Sequence, residues 1–207
     1  MRRPNKNRPL VVGLTGSIGM GKSTAAKMLS HMGLPVHNAD KTVHDAMKRG
    51  GGAVKAMSRL FPQALKGGAI DRSIVGEQVF RKPQMLRKAE GILHPFVHRA
   101  EKKFFAEAKK KKKQAVVLDI PLLFETGAEK RCDVVICVTA PRAVQAQRVM
   151  KRPGMTKAKF QAILKQQMPD KEKCRRADCV INTGKGPADT RRRLVQFMKE
   201  HVTGKKI

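Results

Sequence analysis

The chain has 207 residues, 41% hydrophobic and 29% charged, a balance that suits one compact globular domain and excludes a disordered chain. Its 45 Lys and Arg against 16 Asp and Glu give a net charge of +29, so non-specific binding of polyanions is expected. Specific single-strand binding is disfavoured by the lack of stacking aromatics, with no Trp, no Tyr and 8 Phe, and no apolar run reaches the about 20 residues that a membrane-spanning helix needs.

Residues 1–8 form a basic arm without a signal-type apolar stretch, ahead of a single domain at 9–207; a cytoplasmic protein with no membrane or obligate protein partner is expected. Leu10 to Thr15 reads as a short buried strand. A glycine-rich turn then leads into a helix from Lys22 to Met32, with Ala25, Ala26, Met28, Leu29 and Met32 on its apolar stripe. Gly33 stops that helix, and Leu34 to His37 is predicted as a second strand ending at Asn38-Ala39-Asp40.

From Thr42 to about Arg99 the pattern is helical and broken at Gly50-Gly51-Gly52, Pro62, Gly67-Gly68 and Pro83, with few strands expected. His94-Pro95 is predicted to open a further helix with Pro95 at its first position, and that helix ends in Lys109 to Lys113. Such a lysine run is a solvated face near a helix C-terminus, the competing reading being a nucleic-acid tail.

Ala115 to Ile120 and Val134 to Thr139 read as buried strands, and Cys179 to Asn182 as a fifth. Strands alternating with helices predict an α/β fold, a parallel sheet flanked by helices with ligands at the carboxyl ends of the strands. The basic stretch 142–176 is the right length for a lid. The domain thus divides into a core (9–40, 114–141 and 177–207), a helical insert (41–113) and a lid (142–176). Cys132, Cys137, Cys174 and Cys179 match no common zinc spacing and are read as reduced packing residues, with a metal site or disulfide as the alternative.

The chemistry concentrates at Gly16-Ser17-Ile18-Gly19-Met20-Gly21-Lys22-Ser23-Thr24, which carries the four fixed positions of a phosphate-binding P-loop between a strand and a helix. There, successive backbone N–H groups and the positive helix end converge on phosphate oxygens. Gly16, Ile18, Gly19, Met20, Gly21, Lys22, Ser23 and Thr24 are therefore assigned to ATP, with Lys22 at the β- and γ-phosphates and the Ser23 hydroxyl on magnesium. The Asn-Lys-x-Asp element of a guanine-nucleotide site is absent.

Transfer to a hydroxyl needs a carboxylate, and Asp40 is the candidate base; the competing reading makes it the N-cap of a helix starting near Lys41. Asp119, after an apolar strand, is a candidate magnesium residue acting through water. Arg148 and Arg152 lie four apart, as on one helical face, and are assigned to phosphate against the alternative of a solvated basic face.

These residues, together with Gly13-Leu14-Thr15, Ala39-Asp40, Ile70-Asp71-Arg72, His94-Pro95, Pro121-Leu122-Leu123-Phe124-Glu125, Gln167-Met168, Lys171, Ala177-Asp178 and Asn182-Thr183-Gly184, resemble the dephospho-coenzyme A kinase family from Val11 to Arg193. Asn38 stands where that family usually has an Asp, and Ser17 where Gly is common, while the presumed base Asp40 is kept. The resemblance implies transfer of the ATP γ-phosphoryl group to the ribose 3′-hydroxyl of dephospho-coenzyme A, the last step of coenzyme A synthesis. It also implies that Arg72 and His94 line the acceptor site and that Pro121 to Glu125, Leu123 included, face the acceptor. From the residues alone, His94 before a proline reads as structural. The alternatives are another P-loop small-molecule or nucleotide kinase and a nucleic-acid-binding P-loop protein.

Overall fold

The computed structural model describes residues 8–202. Runs of Val, Leu and Ile that are buried on both faces make the central strands, as a sheet covered on two sides requires. The strands β1 (Leu10–Thr15), β2 (Val36–Asn38), β5 (Ala115–Asp119), β6 (Val134–Thr139) and β7 (Cys179–Asn182) form one sheet in the order β2-β5-β1-β6-β7. β1 pairs in parallel with β5 and β6, and β6 with β7, with Leu14 opposite Asp119, Thr15 opposite Cys137 and Thr139 opposite Asn182. That register brings Thr15, Asp119, Thr139 and Asn182 to one edge of the sheet, where ligands of such folds bind.

Helix α1 (Lys22–His31) and the C-terminal α9 (Pro187–His201) pack on this sheet through Ala25, Leu29, Leu194 and Phe197. Between β6 and β7 the chain forms α6 (Arg142–Met150), α7 (Lys157–Gln166) and α8 (Asp170–Arg176), the segment read from sequence as a lid. The chain divides into two compact units, one of residues up to His37 and from Ala108 onward, the other Asn38–Glu107; 142–176 groups with the sheet.

The second unit contains α2 (Ala39–Met47), α3 (Val54–Leu60), a hairpin of β3 (Leu65–Lys66) and β4 (Ala69–Ile70), α4 (Arg72–Arg81) and most of α5 (Pro83–Lys110). Met47, Met57, Phe61 and Ile70 form its core. The hairpin arises because Gly67 and Gly68 both take positive φ, 55° and 78°, which a two-residue turn between twisted strands demands.

Other sequence expectations need correction. Leu34 lies just beyond the turn that closes α1, its N–H bonding the Leu29 carbonyl, and the second strand starts at Val36. Pro95 lies inside α5 and does not open a helix. The apolar positions Met85, Ala89, Ile92 and Phe96 carry one stripe through it, and that packing outweighs the single helical hydrogen bond that Pro95 cannot donate. Arg8, assigned to the arm, is tied to the sheet: both guanidinium nitrogens bond the Asp133 carboxylate, at 2.8 and 2.7 Å, and Asp133 also accepts from the Val11 N–H. The rest of the arm lies outside the described residues.

The five lysines close α5 as expected. Lys113 N–H returns to the Ala108 carbonyl and Lys112 N–H to that of Lys109, with Lys112 left-handed at φ 49°, a geometry that usually selects glycine.

Candidate active site

The turn after β1 closes through a Met20 N–H bond to the Ser17 carbonyl. Gly19 and Gly21 take φ of 78° and 87°, and a Cβ at Gly16 would sit 2.6 Å from the Val138 carbonyl oxygen, so side chains are excluded where the loop wraps. No side chain caps α1, whose N-cap is Gly21, and Ser23 and Thr24 are exposed. The first-turn N–H groups and two hydroxyls thus face outward, as an anion site requires.

Lys22 Nζ donates to Asp119 Oδ1 at 2.6 Å. β1 and β5 are neighbours with Leu14 opposite Asp119, and the turn from β1 into α1 returns Lys22 to that carboxylate. The Asp119 side chain is 2% exposed.

The loop is braced from behind. Thr183, at the end of β7, donates its hydroxyl to the Met20 carbonyl (2.9 Å) and accepts from Arg148 Nη1 (2.8 Å), while Arg148 Nη2 donates to the Thr183 carbonyl (2.9 Å). Ile18 is held on both sides, its N–H donating to Gln167 Oε1 (3.0 Å) and its carbonyl accepting from Gln145 Nε2 (2.8 Å). Arg148 and Arg152 do not share a helical face: α6 ends at Met150, because Pro153 and the left-handed Gly154 (φ 69°) follow, and Arg152 is exposed beyond it. Arg148 is a brace of the loop in this structure.

The segment after β5 is equally fixed. The Pro121 carbonyl accepts from Thr15 Oγ1 (3.1 Å) and from Lys173 Nζ (3.3 Å). Lys173, wholly buried on α8, also pairs with Glu125 Oε1 at 2.8 Å, and the same oxygen accepts from the Met168 N–H. Glu125 Oε2 is buried without a hydrogen-bond partner. Leu123 is fully buried with Cδ2 close to Gly13, so its side chain anchors this segment in the core, whereas the acceptor role in the sequence reading needs a surface position.

Three candidate site residues, Asp40, Arg72 and His94, belong to the second unit. Asn38, not Asp40, caps α2, accepting from the Lys41 N–H at 2.8 Å. Asp40 therefore stands exposed in the first turn with its carboxylate released from capping. Arg72 begins α4 and is exposed; His94 is exposed on α5, its ring 6.2 Å from that of His98.

Gln145, Gln167, Thr183 and Lys173 were not assigned from residue chemistry. Gln167 and Thr183 lie in the family-like runs Gln167-Met168 and Asn182-Thr183-Gly184, and nothing local separates Lys173 from the lysines around it.

A glycine-wrapped anion loop, its lysine and a strand-end carboxylate at the carboxyl edge of a parallel sheet define a P-loop phosphotransferase. Shikimate kinase from Acinetobacter baumannii shares this fold at a TM-score of 0.52 and 16% identity, over 97% of each chain. A solved Thermus thermophilus protein matches at TM-score 0.85 and 34% identity over 95% of this chain and 100% of its own, and dephospho-CoA kinase from Campylobacter jejuni at 0.67 and 28% over 94% and 98%. Dephospho-CoA kinase of Paramagnetospirillum magneticum is 53% identical over 79% of this chain and 77% of its own; that of Rhodopseudomonas palustris is 43% identical over 92% and 94%. The dephospho-CoA kinase family model matches residues 10–189. The chain belongs to the dephospho-CoA kinase family, whose ATP-dependent reaction is the final step of coenzyme A synthesis.

Proposed function

We propose that this chain transfers the γ-phosphoryl group of ATP to the ribose 3′-hydroxyl of dephospho-coenzyme A, releasing ADP and coenzyme A. The observation that carries the reading is the outward-facing, uncapped P-loop with Lys22 drawn to Asp119, in a chain of this family. Gly16 to Thr24 bind the phosphates, Lys22 neutralises charge at the β- and γ-positions, and Arg148 and Arg152 are the further cations for the transferring group.

The acceptor oxygen attacks the γ-phosphorus, its proton passes to the Asp40 carboxylate, and the bond to the β–γ bridging oxygen breaks, leaving that oxygen on ADP. Arg72, His94, Pro121 and Glu125 are assigned to the acceptor, with Leu123 anchoring their segment in the core. The exposed Ser23 hydroxyl and the Asp119 carboxylate are an all-oxygen set that suits magnesium, Asp119 acting through water. Magnesium held by these residues would supply charge neutralisation at the phosphates.

No helix among the described residues is long and apolar enough to cross a membrane, and all four cysteines are free, which supports a cytoplasmic site of action. The +29 charge supports loose polyanion binding that disappears as salt rises. The decisive experiment incubates the purified chain with ATP, magnesium and dephospho-coenzyme A. Formation of ADP and coenzyme A is expected; turnover with a nucleoside monophosphate alone would overturn the proposal.

A further inference from the structure

Away from the P-loop, Cys137 of β6 and Asp170 and Cys174 of α8 bring two thiols and a carboxylate together. The sulfurs are 4.0 Å apart, Cys174 Sγ lies 3.9 Å from Asp170 Oδ2, and ligand atoms from the three residues fall within 4.8 Å of one another. Zinc with Zn–S of about 2.3 Å and Zn–O of about 2.0–2.2 Å sets ligand-to-ligand edges of roughly 3.5–3.8 Å in a tetrahedron. Small side-chain rotations close the set onto such an ion.

Two further observations point to a ligand. Asp170 Oδ1 is buried without a hydrogen-bond partner, an acceptor that the fold leaves unsatisfied. Asp170 Oδ2 accepts from Thr139 Oγ1 at 2.5 Å, and such outer contacts orient ligating carboxylates. The adjacent Lys173 is paired with Glu125, so its charge is already balanced.

We propose that Cys137, Asp170 and Cys174 bind one zinc-class cation between β6 and α8, with the fourth position left to water. Two sulfurs select a thiophilic ion over magnesium, which prefers oxygen. Coordination replaces the two thiol protons with the metal. The ion pins α8 to the sheet, and α8 carries Lys173, which holds the Pro121 carbonyl and Glu125. The site stands independently of the proposed reaction.

The test titrates the reduced full-length protein with cobalt(II) and then zinc(II), without nucleotide. One equivalent of cobalt should give a strong near-ultraviolet sulfur-to-cobalt band that zinc bleaches. Cys174→Ser, at a partly exposed position that tolerates exchange, should lose the band and weaken zinc binding by at least about tenfold, whereas Cys179→Ser should titrate like the wild type. Thermal unfolding without metal establishes that each variant is folded. No band in the wild type, or an unchanged titration in Cys174→Ser, overturns the site. A Cys137–Cys174 disulfide forming in air while the reduced protein takes up no metal also overturns it and assigns the pair to redox chemistry.

Discussion

Lys22, at the start of α1, is paired with Asp119, at the end of β5, so the cation proposed for phosphate rests on the carboxylate proposed for magnesium. On the proposed reaction, bound nucleotide and magnesium would compete for these two side chains.

Removing the negative charge therefore separates the two roles. Asp119→Asn should lower kcat by about 10–100-fold and raise the magnesium concentration needed for half-maximal rate. Initial rates measured against magnesium at saturating ATP test this; a lowered rate with an unchanged magnesium requirement would restrict Asp119 to positioning Lys22.

Asp40→Asn should reduce kcat by about 10²–10⁴-fold while ATP affinity stays within about twofold, since a base acts on the acceptor and not on the nucleotide. Turnover assays and equilibrium nucleotide binding give the two numbers. Near wild-type turnover would remove Asp40 from the mechanism.

Thr183→Val keeps the shape of the side chain and deletes its bonds to Met20 and Arg148. The expected cost is about 1–3 kcal/mol in denaturant unfolding, together with weaker ATP binding. Thr183→Ser, which keeps the hydroxyl, should restore most of both, and failure to do so would make the methyl group the important part.

Lys173→Met leaves Glu125 in a buried position without its cation, and a loss of about 3–5 kcal/mol is expected. Adding Glu125→Leu should recover most of the stability but not the activity, if Glu125 faces the acceptor. Parallel melting curves and rate assays distinguish these outcomes.

Burial pushes the thiols of Cys137, Cys174 and Cys179 above the ordinary range. Their neutral forms dominate at pH 7, and the reactive thiolate grows about tenfold per pH unit until the raised pKa is reached. Metal-free protein should alkylate slowly at neutral pH, with rates at these sites still climbing past about pH 9, where an exposed thiol levels off. Site-resolved mass spectrometry of iodoacetamide-treated protein checks this.

Local patterns made much of this molecule legible. The strands β1, β5 and β6 are readable because a strand covered on both faces is a nearly continuous apolar run, β7 from its short Cys-Val-Ile run although Val180 is exposed at the sheet edge, and the P-loop because its residues are contiguous. Asn38 could be read as a strand end but not as the cap, since either carboxamide or carboxylate serves that purpose. The Gly67-Gly68 turn was visible as a break, yet the strands around it are too short to show alternation. Pro95 misled because a proline often starts a helix, and only the stripe from Met85 to Phe96 shows that this one continues. Arg148, Gln145, Gln167 and Lys173 act through contacts far along the chain, which no local spacing encodes.

The Thr183 hydroxyl joins positions 163 apart, and this sets a schedule for biogenesis. A nascent chain displays its phosphate loop early, but the loop lacks its rear support until β7 has left the ribosome and docked on β6. Firm nucleotide binding is thus a late event in synthesis, and a chain released before that strand carries the nucleotide motif without a loop rigid enough to use it.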